Sequence, residues 1–117
     1  MMADMISVII PTRNAAPGLP ATLAALQSGR ESSLIQQIII SDGGSTDGTF
    51  EIAEAAGTQI LQGPPGRGGQ LQRGAVAANG EWLLFLHGDT VLEPEWLFAA
   101  EAFIADDANN GQAAAFR

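Results

Sequence analysis

Two stretches of this chain, Ile6-Ser7-Val8-Ile9-Ile10 and Ile38-Ile39-Ile40, are apolar or small at successive positions rather than at alternate ones. A strand with one wet face alternates. An uninterrupted β-branched run therefore asks to be covered on both sides, as the strands of a parallel sheet are. Each run ends abruptly. Pro11 is expected to stop the first, and Asp42-Gly43-Gly44-Ser45 turns the chain after the second, which reads as Ile35 to Ser41. Trp82 to Leu86 is a further apolar run closed by His87-Gly88-Asp89-Thr90, and Thr58 to Gln62 a weaker one closed by Gly63-Pro64-Pro65-Gly66.

Helical stretches lie between these runs. Pro20 suits a first-turn position, Leu19, Leu23 and Leu26 share a face, and Gly29 is expected to end that segment. Ser45 or Thr46 is expected to cap a second helix reaching Gly57, with Asp47 and Glu51 well placed for its dipole. A third is expected from Gly68 to Ala78, with Leu71, Ala75 and Ala78 facing the core and Gly80 beyond its end. Pro94 opens a fourth, with Trp96, Ala100 and Phe103 on one side and Leu97 and Ile104 on another; Gln112 to Phe116 is expected to begin a fifth strand. This alternation predicts an α/β fold, a mainly parallel sheet with helices on both faces. Right-handed crossovers then bring all four strand-to-helix loops to the carboxyl edge, where such folds bind ligands. A chain of 117 residues fits one domain with one ordinary core.

Composition removes several chemistries. All five basic residues are arginine, cysteine is absent, and His87 is the only histidine. A phosphate-loop lysine, a Schiff-base lysine, a thiol nucleophile and a disulfide framework are thereby excluded. The net charge of −8 has the wrong sign for gripping a nucleic-acid backbone, so no nucleic-acid partner is expected. No apolar run approaches the ~20 residues that cross a bilayer, and a soluble, cytoplasmic chain is expected.

The polar residues gather in the loops after the strands. Asp42, directly after an all-isoleucine run, has two readings: a carboxylate for a ribose hydroxyl or a base N–H, or a turn aspartate helping to cap the next helix. Gly66-Arg67-Gly68-Gly69 offers a guanidinium and backbone N–H groups to an anion at a helix N-terminus, the alternative being a solvated loop charge. Arg73 reads as a surface residue or a carboxylate's partner. His87 and Asp89 form the best candidate metal site: Mg²⁺ or Mn²⁺ takes one or two protein ligands and completes its shell with water and phosphate oxygens. His87 reads equally as a buried imidazole that shapes its loop.

In this order the residues resemble the N-terminal half of a family 2 glycosyltransferase of the GT-A fold. The matching pieces are Val8-Ile9-Ile10-Pro11-Thr12-Arg13-Asn14, Ile39 to Thr49, Gly66 to Gln70 with Gly74-Ala75, and Gly80 to Thr90, which together span nearly the whole chain. The resemblance implies transfer of a sugar from a UDP- or GDP-sugar to an acceptor hydroxyl with help from Mg²⁺ or Mn²⁺. Carried over by position, the loop of Pro11, Thr12, Arg13 and Asn14 would meet the base and ribose. Asp42 with Gly43 would bind the nucleoside, Arg67 and Gln70 would lie near the nucleotide, and Asp89, beside His87, would hold the metal on the diphosphate. Two positions depart from the common pattern, since Gly43 and His87 stand where the family usually has acids.

The family domain is about twice this size, and its second half supplies the acceptor site and the general base. No catalytic base is therefore named; Glu93 and Glu95 read as an acidic first helical turn. The chain is expected to be a donor-binding half, with the flank of the Trp82–Leu86 strand left as an open edge inviting a second copy or another chain. The alternatives are a module that binds a nucleotide or nucleotide-sugar without turnover, and a nucleotidyltransferase. Thr12-Arg13-Asn14-Ala15 is a poor substitute for the basic loop the latter would want.

Overall fold

A computed structural model describes residues 6–31, 34–80, 82–86 and 114–115. In chain order these form β1 (Ile6–Thr12), α1 (Leu19–Ala25), α2 (Gln27–Glu31), β2 (Ile35–Asp42) and α3 (Thr49–Ala55). They continue as β3 (Gln59–Gln62), α4 (Arg67–Ala77), β4 (Trp82–Phe85) and β5 (Ala114–Ala115). The expected metal loop, His87 to Asp89, and the helix expected from Pro94 lie outside the described residues.

All strand pairs are parallel, in the order β3-β2-β1-β4-β5. The two runs that lack alternation are the two innermost strands of the first half: Val8, Ile9, Ile10, Ile39 and Ile40 have no exposed surface. One face of the sheet packs Val8, Ile10, Ile38 and Ile40 with Leu19, Leu23 and Leu26 of the α1 segment and Ala53 of α3. Successive strand residues point to opposite faces, so Ile9 looks the other way, into α4. Full burial of one such side chain stabilises by about 1.5–3 kcal/mol. Helices on both faces thus follow from strands that are apolar on both faces.

Several boundaries differ from the sequence reading, each for a physical reason. Pro11 does not stop β1, which runs on to Thr12. Leu86 N–H donates to the Ile9 carbonyl (3.1 Å), so Ile9 faces β4, and by alternation Pro11 does too, beyond the last β1–β4 pair, Ile9–Phe85. Among the described residues no ladder partner there needs the N–H that proline lacks. Gly29 does not end the first helical segment but lies within α2. The chain adds this turn because Arg30 caps the end of α3, donating to the carbonyls of Ala56 (2.9 Å) and Gly57 (3.3 Å).

The face of α4 also differs. Leu71 and Ala75 are only half-buried and Ala78 is the extended C-cap, while Gln70 and Gly74, one turn apart, are the buried pair. A Cβ on Gly74 would lie 2.4 Å from Ile9 Cγ2, so the helix sits on the sheet at a distance that only glycine allows. The expected fifth strand is present. Ala114 and Ala115 pair with Leu84 and Phe85, so the flank of β4 is lined rather than open, contrary to the expectation of an uncovered edge.

At the amino edge of the sheet, Gln37 joins four elements. Its Oε1 accepts from Ser7 Oγ (2.8 Å) and Asn79 N–H (2.9 Å), and its Nε2 donates to Gln59 Oε1 (2.8 Å) and the Ala77 carbonyl (3.3 Å). Gly80 N–H donates to Ser7 Oγ (2.8 Å), which fixes the entry to β4.

Candidate functional site

The strand order reverses at β1. Chain order runs outward from it to β2 and β3 on one side, and to β4 and β5 on the other. In an open parallel sheet the crevice for a ligand lies outside the carboxyl ends at such a switch point. The loops after β1, β2 and β3 are the described walls of that crevice.

The loop after β2 is organised by Asp42, which is 5% exposed. Its Oδ1 accepts from Thr12 Oγ1 (2.7 Å) and Ser45 Oγ (2.6 Å), and its Oδ2 from the N–H groups of Gly44 (3.0 Å) and Ser45 (2.8 Å). A carboxylate has about four acceptor positions, and all are filled from within the chain. Burial alone would raise the carboxyl pKa; the bonds from Ser45, Thr12 and Gly44 outweigh it and hold the group below its ordinary value. Of the reading as a turn aspartate that helps to cap the next helix, the turn is present, but α3 begins at Thr49 behind Gly48 and is not capped by Asp42. A ligand hydroxyl or N–H at Asp42 would have to displace one of these donors.

Ser45 and Thr46 do not cap α3, which starts at Thr49 behind Gly48. They are engaged with the β1–α1 loop instead. Three successive N–H groups of that loop donate to side chains of the β2–α3 loop and of the first residue of α3: Asn14 to Ser45 Oγ (2.8 Å), Ala15 to Thr49 Oγ1 (2.9 Å) and Ala16 to Asp47 Oδ2 (3.1 Å). In return Asn14 Oδ1 accepts from Thr46 N–H (2.8 Å). Asn14 has φ 54, the left-handed region that asparagine tolerates better than most residues. Bonds from the hydroxyl and N–H of Thr49 hold the Asp47 carboxyl below its ordinary value. Ser45, Asp47 and Thr49 are the residues whose role the sequence reading missed. The available signal was redundancy, because Ser45, Thr46 and Asp47 are more caps than one helix uses.

Gln70 ties in the third loop. It is buried, and its Nε2 donates to the carbonyls of Thr12 (2.9 Å) and Ser41 (2.8 Å), the ends of β1 and β2. Of the other foreseen residues, Pro11 is half-buried in β1, Thr12 and Gly43 are buried, and Arg13, Asn14 and Arg67 are exposed. Asp89 and His87 lie outside the described residues, so their relation to Asp42 is not part of this geometry. The described walls thus combine rigid, internally satisfied loops with two exposed guanidinium-bearing residues in a chain of net charge −8.

The model of glycosyl transferase family 2 matches residues 7–116. The chain belongs to that family. A PGL/p-HBAD biosynthesis glycosyltransferase of Mycobacterium tuberculosis (strain ATCC 25177 / H37Ra) is 37% identical over 114 residues, covering 91% of this chain. This family 2 chain spans only 44% of that relative. Among solved structures, glucosyl-3-phosphoglycerate synthase from Mycobacterium tuberculosis, in complex with Mn²⁺, UDP and glucosyl-3-phosphoglycerate, is similar. It is 26% identical, with a TM-score of 0.70 over 80% of this chain and 37% of its own. The same synthase with Mn²⁺, UDP-glucose and phosphoglyceric acid gives the same score and identity. The fold is accordingly the Rossmann-like GT-A half expected from the resemblance.

Among the described residues no group of three or more His, Cys, Asp or Glu side chains gathers to hold a metal. Asp42 has no acceptor position to spare for such an ion. Among the described residues no helix is long and apolar enough to cross a membrane.

Proposed function

We propose that this chain is the donor-binding half of a family 2 glycosyltransferase that takes a UDP- or GDP-sugar and passes the sugar to an acceptor hydroxyl. The observation that carries this reading is the gathering, at the switch-point end of the sheet, of rigid loops that leave Arg13 and Arg67 exposed in an otherwise acidic chain. A diphosphate is the ligand whose charge answers that arrangement. The described structural relatives bound to UDP and Mn²⁺ point to the same donor class.

In this reading the β1–α1 loop, with Pro11, Thr12, Arg13 and Asn14, forms one wall for the nucleoside. Asp42 and Gly43 form the next, Asp42 holding the loop shape and reaching the ligand only by exchanging a donor. Arg67, in the first turn of α4 with exposed Gly68 and Gly69, faces the diphosphate and stabilises the charge that grows there as the glycosidic bond breaks. Gln70 positions that turn. Asp89 with His87 would hold Mg²⁺ or Mn²⁺, which when bound supplies positive charge against the diphosphate. A module that binds without turnover would use the same loops, and the chain's 44% span of its relative favours keeping that reading in the test.

Calorimetric titration of the chain with UDP, GDP and their sugars, with and without Mn²⁺, decides between these outcomes. Mn²⁺-dependent binding that weakens about tenfold or more in Asp89→Ala supports the donor site, since a lost charge-assisted contact is worth about 1.5–3 kcal/mol. Absence of any nucleotide binding sinks it. Sugar transfer or hydrolysis, assayed second, separates an enzyme from a binding module.

A further inference from the structure

Gln70 and Gly43 share one small space where three carboxyl-edge loops meet. Both N–H donors of the Gln70 carboxamide are used, on the carbonyls of Thr12 and Ser41, and its Oε1 accepts from Gly66 N–H (3.0 Å). Its backbone carbonyl accepts from Ser41 Oγ (2.6 Å). Facing it, a Cβ on Gly43 would lie 2.7 Å from Gln70 Oε1, 2.8 Å from Gln70 Cδ and 3.0 Å from Pro65 Cα. Gly43 is not in the left-handed region, so space and not backbone conformation calls for glycine there. The Gln70 side chain cannot simply swing aside, because three hydrogen bonds fix it in a site with 5% exposure.

We infer that Gly43 and Gln70 are a coupled pair, in which Gln70 is a positioning residue. Its carboxamide takes the volume that a side chain at position 43 would occupy and uses it to tie the ends of β1 and β2 to the entrance of α4. The second acid that resembling sequences place after Asp42 is shut out for as long as Gln70 holds this position, and this edge meets its ligand with one negative charge fewer. What that ligand is rests on the donor-site reading; the pairing itself does not.

The test uses the whole chain in four forms: native, Gly43→Ala, Gln70→Ala and the double variant. Urea unfolding is expected to show Gly43→Ala lowering the midpoint in the native background and having less than about half that effect beside Gln70→Ala, because contacting residues are not additive. Amide exchange at Gly66 is expected to quicken about tenfold in Gln70→Ala, the loss of about one hydrogen bond, while Asn79 and Gly80 at the opposite edge keep their native rates. Additive midpoints, or equal acceleration at both edges, overturn the inference. If Gln70→Ala alone does not fold, the double variant is expected to regain folding as the methyl group introduced by Gly43→Ala fills part of the void, and a double variant that stays unfolded overturns it. A native chain that binds neither UDP nor GDP overturns the donor-site reading instead, and the unfolding cycle then still decides the pair.

Discussion

The two edges of the sheet are closed by different chemistry. At the amino edge, Ser7, Gln37, Gln59 and the N–H groups of Asn79 and Gly80 form a network of neutral hydroxyl, carboxamide and amide groups. At the carboxyl edge carboxylates act beside the neutral Gln70: Asp42 collects four donors, and Asp47 joins the first turn of α3 to the β1–α1 loop. A neutral network holds elements together without regard to pH. One built on ionised groups is tied to proton binding, and it fixes loops firmly enough that exposed residues such as Arg13 and Arg67 are presented on a rigid frame.

Removing the carboxylate is the most damaging way to break this contrast. Asp42→Ala leaves two hydroxyls and two N–H groups at a mostly buried position without their acceptor, and urea unfolding is expected to show a loss of about 3 kcal/mol. The pH dependence has a fixed sign. Asp42 and Asp47 both titrate below the ordinary aspartate value of 3.8, so near and below that value the unfolded chain binds more protons than the folded one. Their stabilisation is present above it and is lost as pH falls through the folded values. The native urea midpoint is therefore expected to fall more steeply between about pH 5 and pH 3 than that of Asp42→Asn, a group that does not titrate. Parallel slopes would mean that the β2–α3 loop is not held by an ionised Asp42.

Helix α4 spans the two edges, with Gln70 near its start and the Ala77 carbonyl at its end bound to Gln37. Its seat is Gly74 on Ile9. Gly74→Ala is expected to cost about 2 kcal/mol by overpacking, less beside Ile9→Ala, which removes the Cγ2 and Cγ1 atoms that the new Cβ would meet, and to loosen amide protection at both edges together. Gln37→Ala should instead act at the amino edge alone. A loss of about 1–1.5 kcal/mol is expected, since the residue is half-buried, and it should be the same at pH 7 and pH 4. A pH-dependent penalty would erase the distinction between the edges.

The same contrast explains what could be read from the sequence. Strand burial was legible because Val8, Ile9, Ile10 and Ile38 to Ile40 carry it in their side chains, and burial on both faces dictates helices on both faces. The end of β1 was not, because whether the missing N–H of Pro11 matters depends on which neighbour it faces. The seat of α4 was misread for a related reason: apolar spacing marks Leu71 and Ala75, whereas close approach to the sheet selects Gly74 and a fully bonded Gln70. At the site, Asp42 and the loops were legible as polar residues in the right places. Their partners were not, because Ser45, Asp47 and Thr49 act across more than 30 positions of chain on Asn14, Ala15 and Ala16. Local capping rules cannot see that distance.

Asn14 offers the finest test of how firmly the carboxyl edge is held. Its backbone lies at φ 54, and its side chain accepts from Thr46 N–H at an exposed position. Asn14→Gly removes that bond but sits easily in the left-handed region, so the net cost in urea unfolding is expected to be only about 0.5 kcal/mol. Asn14→Ala removes the same bond and must also adopt a backbone conformation that disfavours a Cβ, adding about 1 kcal/mol. The difference between the two variants therefore measures whether the loop keeps its left-handed turn in solution, independently of the lost hydrogen bond. Equal stabilities would show that the β1–α1 loop relaxes away from Ser45, Asp47 and Thr49. The rigid frame inferred for the ligand-facing edge would then be no firmer than an ordinary surface loop.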